Sequence, residues 1–190
     1  MTTYAAFLRA INVGGHVVKM DRLRRLVESL GHARVETLIA SGNVIFESAA
    51  RDPRRLESAI ALHLERELGY EVGTFIRSAA ELEAIAAHRA FPASDAGAPG
   101  TSVYVGFLAE PPPPALRKSV ESLGSAVDTL RFRGRELYWL CRGRSSDSEF
   151  SGARLEKILK APATLRNLTT VAKMAARCRA RESAARTRSP

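Results

Sequence analysis

The residues equipped for chemistry fall in three stretches. Arg9, Asn12, Gly14, Gly15 and Lys19 lie in FLRAINVGGHVVK (7–19), Ser41 and Asn43 flank a glycine in SGN (41–43), and Arg166, Asn167 and Thr170 lie in LRNLTT (165–170). Guanidinium, ammonium, amide and hydroxyl groups beside glycine N–H groups are suited to holding an anion: they supply charge, directed donors and a backbone that a ligand can approach closely. They do not break bonds by themselves. No paired carboxylates, Ser-His-Asp order or Cys-His arrangement stands out, and ASG at 40–42 is not a GxSxG elbow, so no catalytic residue is named.

Each stretch admits two readings. Arg9 falls on the same side of its expected strand as Phe7 and Ile11. It either contacts an anionic ligand together with Asn12 and the N–H groups near Gly14 and Gly15, or it pairs with a carboxylate while Asn12 closes the turn through its own side chain. Ser41 and Asn43 sit at a hairpin tip, where turn chemistry alone accounts for them. Arg166, with Asn167, Thr169 and Thr170 at the start of the last helix, forms a second anion site or simply caps that helix. The glycine pair is neither GxGxxG nor GxxxxGK[ST], and about five residues separate Gly15 from the helix expected at Asp21, which argues against a dinucleotide or nucleoside triphosphate. His16, His32, His63 and His88 show no ligand spacing, and Cys141 and Cys178 stand far apart, so no metal, cofactor, disulfide or redox dithiol is expected.

Composition fits an ordinary globular chain: 190 residues, 45% hydrophobic and 26% charged. No apolar run reaches membrane-span length and no signal-peptide pattern precedes Tyr4, so the expected location is the cytoplasm, with no membrane partner. The net charge of +9 points towards nucleic acid. Five arginines and one acid in the last 14 residues supply +4 of it, and the arginine and alanine bias also fits a GC-rich genome.

The elements that must position these residues follow from periodicity. Tyr4–Val13 reads as a strand and 22–30 as a helix capped by Asp21; Arg34–Ala40 and Asn43–Ser48 form a tight hairpin around Ser41 and Gly42. A helix opened by Asp52 and Pro53 ends at Gly69, Tyr70–Arg77 is a fourth strand, and Ser78 caps a short helix. The order βαββαβ then recurs. Thr101–Leu108 is a strand, a helix follows the prolines at 111–114, and Val127–Arg133 and Arg135–Arg142 pair around Gly134. Thr164–Asn167 is the last strand, before a helix to about Ala180. VETLIASG (35–42) is matched by VDTLRFRG (127–134), and RLE (55–57) by RLE (154–156). The expectation is an α+β protein of two tandem ferredoxin-like halves, with an extra helix between them and a C-terminal helix. The bounds are 1–92 for the first half, 93–100 for the connection, 101–181 for the second half and 182–190 for a mobile basic tail.

FLRAINVGG (7–15) with Lys19, SGNVIFES (41–48) and ATLRNLTTV (163–171) together resemble the DUF1697 family of bacterial proteins, a domain of unknown function. The family pattern reads LRGINVGG where this chain has Ala10, and RNWNTV where it has Leu168 and Thr169, so a flat aromatic surface is lost. The resemblance implies an α+β fold and almost nothing about activity. The functional expectation is a cytoplasmic binding protein for an anionic partner, nucleic acid or a phosphorylated metabolite, through a polar patch near a groove between the halves. The alternatives are a small-molecule enzyme with a pocket there, or an assembly protein that pairs copies through its sheets. A monomer or a homodimer is expected.

Overall fold

The computed structural model describes residues 1–12, 14–39 and 42–186. The chain forms two compact units: one takes Met1–Ala84 with the chain from Ala172 onward, the other Ile85–Val171. That division differs from the one the sequence suggests, because the C-terminal helix from Ala172 groups with the first unit.

In the first unit β1 (Thr2–Leu8), α1 (Met20–Glu28), β2 (Ala33–Leu38), β3 (Asn43–Ser48), α2 (Pro53–Leu68) and β4 (Thr74–Ser78) precede α3 (Ala79–Ala87). The strands make an antiparallel sheet in the order β2-β3-β1-β4. β1 is central because both its faces are apolar. Tyr4, Ala6 and Leu8 join Val44, Phe46 and Ile76 in a core that includes Leu23 and Val27 of α1 and Leu56, Ile60 and Leu64 of α2. Ala5 and Phe7 point the other way, level with Ile45, Phe75 and Arg77. α2 begins and ends as its sequence implies. Asp52 accepts the Arg54 and Arg55 N–H groups at 3.0 and 3.3 Å, Pro53 occupies the first turn, and Gly69 closes the helix at φ 81°. α1 differs: Lys19 is its N-cap, with no side-chain bond, and Asp21 sits in the first turn, where a carboxylate faces the positive end of the helix.

The second unit holds the end of α3, then α4 (Ala93–Ala96), β5 (Thr101–Leu108), α5 (Pro114–Glu121), β6 (Asp128–Arg133), β7 (Glu136–Arg142), α6 (Gly152–Leu159), β8 (Ala163–Asn167) and the first turn of α7 (Leu168–Arg186). Its sheet order, β6-β7-β5-β8, repeats that of the first. Leu130, Leu137 and Trp139 fill its core with Val120 of α5 and Leu155 of α6. The buried Asp128 carboxylate accepts from Trp139 Nε1 and Ser148 Oγ, each at 2.7 Å, so its charge is answered in place. Both units are ferredoxin-like, and the α+β class holds.

Several boundaries move. β1 ends at Leu8 and not Val13, because Ala10 (φ 65°) and Asn12 (φ 55°) take left-handed backbone that no strand continues through. β4 begins at Thr74 and not Tyr70, since Thr74 pairs with Leu8 and β1 offers no partner beyond it. α7 stays helical to Arg186, past the tail expected from 182. Arg177 and Arg181 both pair with Glu36, Arg181 also donates to the Arg34 carbonyl at 2.6 Å, and Arg179 meets Glu83 at 3.2 Å.

On the edge strands β4, β6 and β8 side chains take some of the backbone groups. On β4 the Ile76 N–H donates to Glu57 Oε1 at 2.7 Å while Arg77 Nη1 donates to the Ile76 carbonyl at 2.8 Å. On β8 the Ala163 N–H meets Glu156 at 2.8 Å and Arg166 Nη1 the Leu165 carbonyl at 2.8 Å. On β6 the Phe132 N–H meets Glu121 at 2.8 Å and Arg131 Nη1 the Leu130 carbonyl at 2.9 Å. A helix glutamate and a strand arginine thus take groups that an open edge would offer to another chain.

Candidate functional site

The loop between β1 and α1 is pinned at three points. The Leu8 N–H donates to the Gly42 carbonyl at 2.8 Å, the Arg9 N–H to the Gly73 carbonyl at 2.7 Å, and the Val18 N–H to Asn12 Oδ1 at 2.7 Å. Gly42 is required twice over: its φ is 71°, and an added Cβ would lie 3.0 Å from both the Leu8 carbonyl oxygen and Ile11 Cβ. Between those pins Gly14 (φ 62°) and Gly15 (φ 86°) are exposed, with no atom outside the adjacent residues within 4 Å of where a Cβ would stand. Val17 is 84% exposed, Lys19 is exposed and Arg9 half-buried. His16 stacks on Tyr70 with ring centroids 3.7 Å apart, and burial raises the Tyr70 hydroxyl pKa, an effect Arg22 opposes.

Arg9, Asn12, Gly14, Gly15 and Lys19 therefore occupy one connection, whereas the sequence puts Arg9 and Asn12 within the strand. Arg9 is the first residue beyond β1, so strand alternation does not set its side. The Asn12 oxygen closes the loop, in line with the turn reading. Asn43 is not at a hairpin tip. It opens β3 with its side chain fully buried, and Nδ2 donates to the Leu38 carbonyl at 3.2 Å across a connection longer than the tight turn expected. Ser41 lies outside the described residues.

Arg166, Asn167 and Thr170 belong to the second unit. Arg166 Nη1 donates to Thr164 Oγ1 at 2.7 Å as well as to the Leu165 carbonyl, and burial pulls its pKa down to about 10, so it stays charged at neutral pH. Asn167 Oδ1 accepts the Thr169 N–H at 2.9 Å and Thr169 Oγ1 at 2.7 Å, which is the capping role. Thr170 is half-buried.

Arg77 escaped the sequence reading. It is the largest fully buried side chain described, 3.6 Å from the Glu57 carboxylate. Strand pairing makes it the counterpart of Arg166, since Ala5 faces Arg77 and Val105 faces Arg166. The residues that follow, Ser78 and Asn167, both cap helices. The available signal was FIRS against TLRN at the ends of the two units. The matched hairpins were misleading: pairing sets Glu36 against Ile45 and Arg131 against Tyr138, so VETL and VDTL are out of structural register.

Among the described residues no group of three His, Cys, Asp or Glu is placed to hold a metal ion, and no helix is long and apolar enough to cross a membrane. No curated protein matches the chain. Among solved structures, the conserved bacterial protein SP0830 from Streptococcus pneumoniae is similar over 93% of this chain and 98% of its own, with 26% identity and a TM-score of 0.72. The family profile described as protein of unknown function DUF1697 matches residues 1–138, which takes in the glycine loop, Asn43 and helices α1 and α2, and on that match the chain belongs to the DUF1697 family.

Proposed function

We propose that this protein binds a phosphate-bearing anion, a phosphorylated metabolite or nucleic acid, on the β1–α1 loop. One observation carries the reading: Gly14 and Gly15 are exposed and open to approach on a loop whose two ends are held by backbone and Asn12 bonds. A pinned loop loses little entropy when a ligand arrives, and a glycine, with no Cβ of its own, lets an oxyanion approach the backbone N–H groups closely. Arg9 and Lys19 stand at its two ends to supply positive charge. Asn12 and Asn43 hold the platform and do not touch the ligand. Arg166 in the second unit is, on this reading, an edge residue like Arg77.

The test is titration of 15N-labelled protein with inorganic phosphate, a sugar phosphate and a single-stranded oligonucleotide at low salt, read at residues 14–19. Saturable shifts there that weaken about tenfold in an Arg9→Gln, Lys19→Gln variant support the site. For an oligonucleotide, affinity should also fall steeply with salt, each lost phosphate contact reducing the slope by about one. Shifts that ignore both substitutions sink it. We also propose a monomer, because the edge groups at Ile76, Phe132 and Ala163 are already taken; the mass from light scattering checks this.

A further inference from the structure

The second unit contains a cleft of about 230 Å³ lined by His88, Arg89, Phe91, Val103, Tyr138, Leu168 and the alanines between 86 and 96. Its walls are mostly apolar, with polar groups at few points. The Tyr138 hydroxyl donates to the Ile85 carbonyl at 3.1 Å, and the His88 ring meets the Tyr138 ring edge-on at 4.9 Å. Arg133 lies on the same face of the sheet as Tyr138, one diagonal step away. The acids nearby are engaged or buried: Asp95 of α4 is held by Arg142 at 3.1 Å, and Glu136, across from Arg133, is buried. Arg89, which lines the cleft, and Arg133, diagonal to Tyr138 on the neighbouring strand, are exposed and bring guanidinium groups to this side of the unit.

We infer that this cleft is a binding site for a small organic anion, a carboxylate carried on an apolar body. Alanine walls with Phe91, Val103 and Leu168 take the apolar part, and Arg89 and Arg133 take the carboxylate, for which a guanidinium fork is the matching donor. The volume lies below the roughly 300–1,000 Å³ of drug-sized sites, which restricts the ligand to a few atoms beyond one ring. The inference stands apart from the loop site, because it uses none of its residues.

Benzoate and its neutral isostere benzamide are the probes, titrated into 15N-labelled full-length protein. The expected result is saturable benzoate shifts at residues 86–96, with benzamide at least about tenfold weaker. An Arg89→Gln, Arg133→Gln variant, changed only at exposed positions, should lose the preference for benzoate, and Ala90→Leu should weaken both probes by filling the cleft. Equal binding of the two probes, a benzoate preference that survives the double substitution, or shifts confined to residues 14–19 would overturn the proposal. Phosphate binding at 14–19 can fail or succeed independently of this outcome.

Discussion

Ala10 stands where the DUF1697 pattern has glycine, and its φ of 65° shows why glycine suits the position. An L residue in left-handed backbone costs about 1–2 kcal/mol, because its Cβ crowds the following carbonyl. The chain tolerates this cost because Leu8, Arg9 and Asn12 are each bonded around it. Glycine brings back about 0.5–1 kcal/mol of unfolded-state entropy, so Ala10→Gly should stabilise the protein by about 1 kcal/mol net. Urea unfolding measures it, and a variant no more stable than its parent would show that the strain lies elsewhere. The sign of φ at Ala10 and the identity of Val18 as the partner were not legible in the sequence, although a turn closed by the Asn12 side chain was. The glycine pair and the polar residues were legible too, because their types restrict them to turns.

At the level of elements, the recurrent device is a glutamate on a helix that reaches a strand amide while an arginine on that strand folds back onto a carbonyl. On β4 the device is buried: Arg77 is fully inaccessible and Glu57 nearly so. Removing one partner of a buried pair leaves the other charged without compensation, which costs about 3–5 kcal/mol, whereas replacing both by apolar groups of similar volume is close to neutral. Glu57→Ala should therefore lower unfolding stability by about that amount, and Arg77→Met with Glu57→Leu should recover most of it. If the double variant is as unstable as the single one, the backbone bond to Ile76 is the main contribution and the charge pair is not. The equivalent Glu156 meets Ala163, two positions earlier relative to β8 than Glu57 is to β4, so the device repeats in kind and not atom for atom. RLE at 55–57 and 154–156 pointed to it; the arginine half was hidden because a strand arginine ordinarily reads as an exposed residue.

For the whole molecule, the two most strongly raised acids tie stability to alkaline pH. Burial pushes the Cys178 thiol from 9.0 up to about 12 and the Tyr138 hydroxyl from 10.0 up to about 12. Both are neutral when protonated, and the folded protein keeps the proton longer than the unfolded chain. Their contribution is complete below about pH 9 and is lost as pH rises towards 12. The +9 net charge works in the opposite direction, since self-repulsion relaxes as the pH approaches the pI of about 10.2. Cys178→Ala isolates the thiol: urea midpoints measured from pH 8 to 11 should fall less steeply in the variant than in the parent. Parallel curves would mean that the buried thiol does not control the alkaline limb.

Local chemistry was enough to settle the βαββαβ order of each half, though not the short helix α4 in the expected connection, and with it the capping of α2 and α3, the two sheets and the family, because periodicity, proline, glycine and short motifs act over a few residues. Distance across the fold decided the rest. Only the tertiary structure could stop β1 at Leu8, bury Asn43, set Arg77 beside Glu57, assign α7 to the first unit and slide the two hairpins out of the register that their sequences suggest. Each of these depends on which backbone groups find a partner across the sheet, and residues that look alike along the chain do not carry that information.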